Sequence, residues 1–161
     1  MLKILIIAAL SLCFLHNLSV AAAETAPDCA LSDFNHPERI IHLKPNKDVV
    51  YVDFWASWCG PCVKSFPFLE HLHQQYHKKG LKIIAINLDD SKKDAEEFLK
   101  AYPVSFQIVQ DPDGLCPEKF GLTVMPSSYL IDRQGNIHHT GLGFNKAEVL
   151  EMSKKIDQLL K

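Results

Sequence analysis

Cys59 and Cys62, separated by a Gly-Pro dipeptide and preceded by Trp58, are the residues whose types and spacing are best suited to chemistry. Thiols at this spacing can close a small disulfide ring. Where the first of them lies at a helix start, its thiolate is stabilised by unpaired backbone N–H groups and the helix dipole. Gly60 permits the tight turn, and Pro61 fits the first helical turn, where a missing N–H costs little. The expected property is a nucleophilic thiolate near neutral pH, able to exchange disulfides. Two other uses of the pair remain open, a purely structural disulfide or a soft thiolate site for zinc or Cu(I). A zinc or copper site needs further ligands. Neither His73/His77 nor His138/His139 is brought near the pair by the sequence, so these histidines are read as solvated side chains and no metal site is assigned.

Positioning the pair requires a strand before it and a helix after it. Val49 to Trp55 is a β-branched and aromatic run suited to a central strand, and Pro61 to Lys79 carries apolar residues at helical spacing, Phe66, Leu69, Leu72 and Tyr76, until Gly80 ends it. Beyond it, Lys82–Leu88 reads as a buried strand. Ser91 reads as the cap of a helix running to about Tyr102, and Phe106–Val109 as a third strand. Asp111-Pro112-Asp113-Gly114 has turn composition and leads to a short helix over Leu115–Phe120. Ser127–Asp132 and Ile137–Leu142 read as strands joined by a turn at Arg133-Gln134-Gly135-Asn136, and Glu148–Leu160 as a closing amphipathic helix. Leu31, Phe34, Ile40, Ile41 and Leu43 suggest an edge hairpin around Asn35-His36-Pro37. This alternation predicts an α/β fold, a mixed sheet with helices on both faces. There is no internal repeat or linker that would divide it.

At the N-terminus, Lys3, the apolar run Ile4–Leu15 and the small residues Ala21, Ala22 and Ala23 follow a secretory signal pattern. Residues 1–23 are therefore expected to be a signal peptide and residues 24–161 one domain. Retention of the first segment as a membrane anchor is the alternative, although His16 and Asn17 make it a poor span. Loss of Lys3 leaves 16 of the 17 basic residues against 19 acidic ones, a balance of −3 that does not favour nucleic acid. Cys13 leaves with the signal. The remaining four cysteines, Cys29, Cys59, Cys62 and Cys116, are an even set in an exported chain, where disulfides persist. Cys29 and Cys116 are thus either a candidate structural bridge or two free thiols, a question of geometry.

Val52-Asp53-Phe54-Trp55-Ala56-Ser57-Trp58-Cys59-Gly60-Pro61-Cys62 resembles the strand-to-helix active site of the thioredoxin-like superfamily. Pro67 sits where that superfamily kinks its first helix, and Met125-Pro126 before Ser127–Asp132 resembles its cis-proline loop and following strand. With the export signal and the strand–helix unit from about Leu81 to Tyr102, the chain is similar to the TlpA/ResA group from about residue 27 to its end. The resemblance implies a thioredoxin-like fold with an N-terminal hairpin and an inserted strand–helix unit. It also implies that Cys59 attacks, Cys62 resolves, Asp53 is a buried acid that relays a proton, and Pro126 is cis. Trp58, Gly60, Pro61 and Met125 would border the client, while Trp55 packs inside. The implied activity is reduction of disulfides in exported proteins, including apocytochrome c and copper-site proteins, by a periplasmic monomer without a cofactor, recharged by an inner-membrane thiol donor. Gly60 and Ser65 depart from the acidic residues that some members carry there. A Cu(I) carrier is the alternative of a different class. A thiol peroxidase is a third, disfavoured by the paired cysteines.

Overall fold

The computed structural model describes residues 24–43 and 47–161; the expected signal segment and Cys13 lie outside them. Seven strands form one mixed sheet: β1 Ala30–Asp33, β2 Ile40–His42, β3 Val49–Trp55, β4 Leu81–Asn87, β5 Gln107–Gln110, β6 Ser127–Ile131 and β7 Ile137–Leu142, in the order β2-β1-β5-β4-β3-β6-β7. Four α-helices accompany them: α1 Cys62–Tyr76, α2 Lys92–Ala101, α3 Cys116–Lys119 and α4 Lys146–Leu159. The fold is α/β and thioredoxin-like. The edge hairpin is formed by β1 and β2, which pair antiparallel.

All seven residues of β3 are buried, as expected of a central strand covered on both faces. It runs parallel to β4 and antiparallel to β6, with Asp53 opposite Ala85 on one side and Ser128 on the other. One face gathers Tyr51, Trp55, Phe66, Leu69, Phe98, Met152 and Ile156, uniting α1, α2 and α4 over the sheet. The other collects Leu31, Val52, Phe54, Ile86, Phe120 and Tyr129. Helices therefore do not cover the two faces equally: the second is closed by the short α3 and its flanking loop. Cys29, before β1, and Cys116, at the start of α3, lie there with sulfurs 2.10 Å apart in a disulfide.

The element ends depart from the pattern where local chemistry decides them. Ser91 occupies the cap position of α2, but its side chain makes no capping bond. The closing helix begins two residues before Glu148, because the Asn145 side chain accepts from the N–H groups of Ala147 and Glu148 at 3.0 and 3.1 Å. Gly80, with φ of 96°, takes the left-handed conformation that ends the helical turn after α1, a geometry costly for residues with a Cβ.

Candidate active site

The redox pair sits where β3 hands over to α1. Pro61 has helical angles but caps α1 from outside, so Cys62 is the first helical residue. Cys62 N–H donates to the Cys59 carbonyl at 3.0 Å and Val63 N–H to that of Gly60 at 3.3 Å, which curls the four residues into one turn. This turn brings the two sulfurs to 2.05 Å. No acidic residue occupies the first turn of α1, so no nearby carboxylate there opposes a thiolate at the positive end of its dipole. In this oxidised form Cys59 is 4% exposed and Cys62 fully buried. The thiol expected to attack is thus largely covered while its sulfur is bonded to Cys62, and what access the pair has belongs to Cys59.

The loop before Cys59 is held by a residue that motif reading did not identify. Asp89 accepts from Ser57 N–H at 2.9 and 3.1 Å and from the Ser57 hydroxyl at 2.7 Å, and Asn87 Nδ2 donates to it at 2.7 Å. Parallel pairing of β3 with β4 places Asp89 there, since Trp55 lies opposite Asn87. An acid just beyond the carboxyl end of a strand neighbouring the motif strand is the signal that would have found it.

Trp58 is 67% exposed, whereas Trp55 is fully buried. The Met125–Pro126 peptide is cis. β6 starts immediately after it, with Ser127 opposite Phe54, so antiparallel register carries the cis peptide to the same end of β3 as the redox turn. Met125 packs against the cluster that contains Cys59 and Cys62, while Val124 and Leu142 stay exposed around it. The Ser127 hydroxyl donates to the Val124 carbonyl at 2.7 Å, and Gly143 N–H to that of Pro126 at 2.8 Å. The loop is fixed at both ends.

Asp53 lies on the sheet face shared with Tyr51 and Trp55 and is buried, with no hydrogen-bond partner for its Oδ2. Burial pushes its carboxyl well above the ordinary carboxylate range. Ser65, where an acid was a family alternative, is buried and donates to the Cys62 carbonyl at 3.1 Å. Of the histidines expected to be solvated, His77 and His138 are exposed, whereas His73 and His139 are partly buried. His139 Nε2 is 2.7 Å from a Glu148 carboxylate oxygen with its side chain 17% exposed, because α4 lies over it. His138 pairs with Asp132, and the rings of His73 and His77 stack on one another at 4.9 Å. Among the described residues, no group of three or more histidine, cysteine or acidic side chains could hold a metal ion.

Residues 21–160 match the Redoxin family. The chain belongs to that family. It is 32% identical over 124 residues to thiol-disulfide oxidoreductase ResA of Geobacillus thermodenitrificans, covering 77% of this chain and 71% of that one. To ResA of Geobacillus kaustophilus it is 30% identical over 138 residues, covering 86% and 79%. A solved structure from Chlorobium tepidum, described as a thiol:disulfide interchange protein DsbE, superposes with a TM-score of 0.80 at 38% identity, covering 86% of this chain and 97% of that one. This Redoxin chain is a thiol–disulfide oxidoreductase, with Cys59 and Cys62 as its dithiol/disulfide pair.

Proposed function

We propose that the protein reduces disulfides of exported client proteins, with Cys59 as attacking thiolate, Cys62 as resolving thiol and Asp53 as the base that takes the Cys62 proton. The observation that carries this reading is the redox turn at the start of α1 together with a buried carboxyl group, on the strand leading into that turn, that has no partner for one oxygen. In the reducing direction, the Cys59 thiolate bonds to one client sulfur and expels the other. Cys62, losing its proton to the Asp53 carboxylate, then bonds to Cys59 and releases the second client thiolate, so two electrons pass from the enzyme dithiol to the client disulfide. Exposed Trp58, Val124 and Leu142 give an apolar rim for an extended client segment, with the Met125–Pro126 backbone beside it. Gly60 and Pro61 keep the turn narrow enough for that segment to approach.

Reduction is favoured over oxidation because the Gly-Pro spacing matches reducing family members, and a membrane thiol carrier would recharge the pair in an oxidising compartment. Export with loss or retention of residues 1–23, a periplasmic location and clients such as apocytochrome c or copper-site proteins belong to the same proposal. Within the domain, Ile137 N–H donates to the Glu24 carbonyl at 2.7 Å and Ala26 N–H to that of Gly135 at 2.9 Å, which ties this segment to the β6–β7 hairpin. No helix of the described residues is long and apolar enough to cross a membrane. Cys29–Cys116 serves as the structural bridge.

The test is a Cys62→Ser variant incubated with periplasmic extract. Mixed disulfides on Cys59 are expected to accumulate, and their absence, with the variant folded and Cys59 alkylatable, overturns client exchange through this pair. A redox titration of the wild type distinguishes a Cu(I) carrier. The enzyme should cycle near the thioredoxin value of about −270 mV, whereas a carrier retains stoichiometric copper on its thiols.

A further inference from the structure

The buried carboxyl of Asp53 must release to solvent any proton it receives, and the sheet offers a polar row from it toward its edge. In register, Asp53 of β3 lies opposite Ser128 of β6, and Ser128 lies opposite Gly141 of β7. Directly opposed side chains on one face stand about 4.5–5.5 Å apart at Cβ. Gly141 does not have a left-handed backbone; what it supplies is space. A Cβ there would stand 2.6 Å from Ser128 Oγ and collide with Glu148 Oε1. Through this gap Glu148, on the first turn of α4, brings its carboxylate beside the Ser128 hydroxyl, and its other contact is His139 Nε2 at 2.7 Å.

Tyr51, two residues before Asp53 on the same face, is buried, and its hydroxyl is close enough to Ser128, Asp53 and Glu148 for all three to act on its acidity. Its hydroxyl therefore lies among the three groups. Around Asp53 stand Tyr51, two residues back on its own strand, Ser128 opposite it on β6 and Ala85 opposite it on β4; the Glu148–His139 pair lies beyond Ser128, and Cys59 and Cys62 belong to the cluster on the same sheet face as Tyr51 and Trp55. Glu148 and His139 are 19% and 17% exposed at their side chains, so the row ends in contact with water.

We propose that Ser128 and Tyr51, with Glu148 and His139 at the outer end, conduct the Asp53 proton to solvent and that Gly141 keeps this route open. The proposal rests on the reading of Asp53 as the base for Cys62. In the resolving step the Cys62 S–H proton goes to the Asp53 carboxylate, the Cys62–Cys59 bond forms and the Cys59–client bond breaks. The departing client thiolate is protonated by water. Asp53 then passes its proton along the row, regaining the carboxylate for the next turnover. Ser128, Tyr51, Glu148 and His139 act through Asp53 and are positioning residues.

The experiment measures the pH dependence of steady-state client reduction, with a model disulfide peptide and excess dithiol, in Asp53→Asn, Ser128→Ala, Ser128→Thr, Glu148→Gln and the Asp53→Asn/Ser128→Ala double variant. Ser128→Ala and Glu148→Gln should lower kcat about tenfold, a part of the 10²–10⁴-fold typical of positioned acid–base groups. They should also displace the pH profile, and Ser128→Thr should restore it. Ser128→Ala should add nothing to Asp53→Asn, as expected of residues acting in one chain. If Asp53→Asn is slow while the row variants keep wild-type profiles, or if their losses multiply with that of Asp53→Asn, the route is overturned and the Asp53 reading stands. If Asp53→Asn has wild-type kinetics, the Asp53 reading fails and the route fails with it. Thermal melts of each variant and the isosteric Glu148→Gln separate lost folding from lost proton transfer.

Discussion

Replacing both Cys29 and Cys116 by serine removes a cross-link between residues 87 apart in sequence, while leaving the redox pair untouched. With loop-closure entropy as its source, a link of that span stabilises the fold by about 4.6 kcal/mol at 25 °C. Unfolding entropy near 2.1 cal/mol/K per residue over residues 24–161 amounts to about 0.29 kcal/mol/K, so Tm should fall by about 16 °C. Both cysteines are buried on the face closed by α3, and loss of their packing adds to the effect. Calorimetry and urea unfolding of the oxidised proteins measure it. The entropic mechanism also requires a larger urea m-value in the variant, because the unlinked unfolded chain exposes more surface. The single Cys29→Ser variant, alkylated at Cys116, should lose a similar amount. A loss below about 1 kcal/mol with unchanged m-value would refute the assignment of this bridge as the long-range staple of the domain.

Asp89→Ala should cost about 2 kcal/mol, since it leaves the Ser57 N–H and hydroxyl without their acceptor, and should slow client reduction about tenfold by loosening the turn before Cys59; urea unfolding and stopped-flow fluorescence test both. Asp53→Asn should raise stability at pH 7 while lowering the exchange rate. Its folded acidity is weakened by burial, so stability associated with the neutral acid is present below the unfolded carboxylate value of about 3.9 and is lost as pH rises toward the folded value, and the variant abolishes that loss in melts taken from pH 4 to 8. Asp132 has the opposite sign. Burial alone would raise its carboxyl, but hydrogen bonds from Asn136, His138 and Gln134 outweigh it and hold the group below its ordinary range. Its contribution is present above about pH 3.9 and fades in stronger acid, so Asp132→Ala should cost about 1–3 kcal/mol at pH 7 and progressively less as pH falls through the folded value, measured by urea unfolding.

The redox turn and the strand before it were legible because each is encoded by neighbouring residues: Gly60 and Pro61 dictate the turn, and the apolar run of β3 marks a central strand; the cis peptide was expected only from the resemblance of Met125-Pro126 to the superfamily's cis-proline loop. Asp53 stood out as the single acid in that run, and parallel and antiparallel neighbours on both sides account for its burial. Asp89 was not legible, because its contact with Ser57 spans 32 residues and exists only once β3 and β4 are in register. The Glu148–His139 pair depends on where α4 begins, which the Asn145 cap decides, and on the absence of a Cβ at Gly141 two strands away from Asp53. Approach of Cys29 to Cys116 likewise follows from packing of α3 across the sheet, which no local pattern specifies.

Burial alone does not tell the two disulfides apart: Cys29 and Cys116 are 2% and 1% exposed, and Cys59 is 4% exposed. Their spans do. By the same chain-entropy argument, a link between residues 3 apart constrains the unfolded chain by only about 1.6 kcal/mol, roughly a third of the contribution of the long bridge. Reduction of Cys59–Cys62 therefore costs the domain about a third as much as reduction of Cys29–Cys116, which removes an amount comparable to much of the net stability of an ordinary domain. An enzyme that alternates between disulfide and dithiol at every turnover has to remain folded in both states. The pair that cycles is accordingly the one whose opening costs the fold less, placed on a helix start that favours its thiolate, and the long bridge keeps the scaffold folded while it does so.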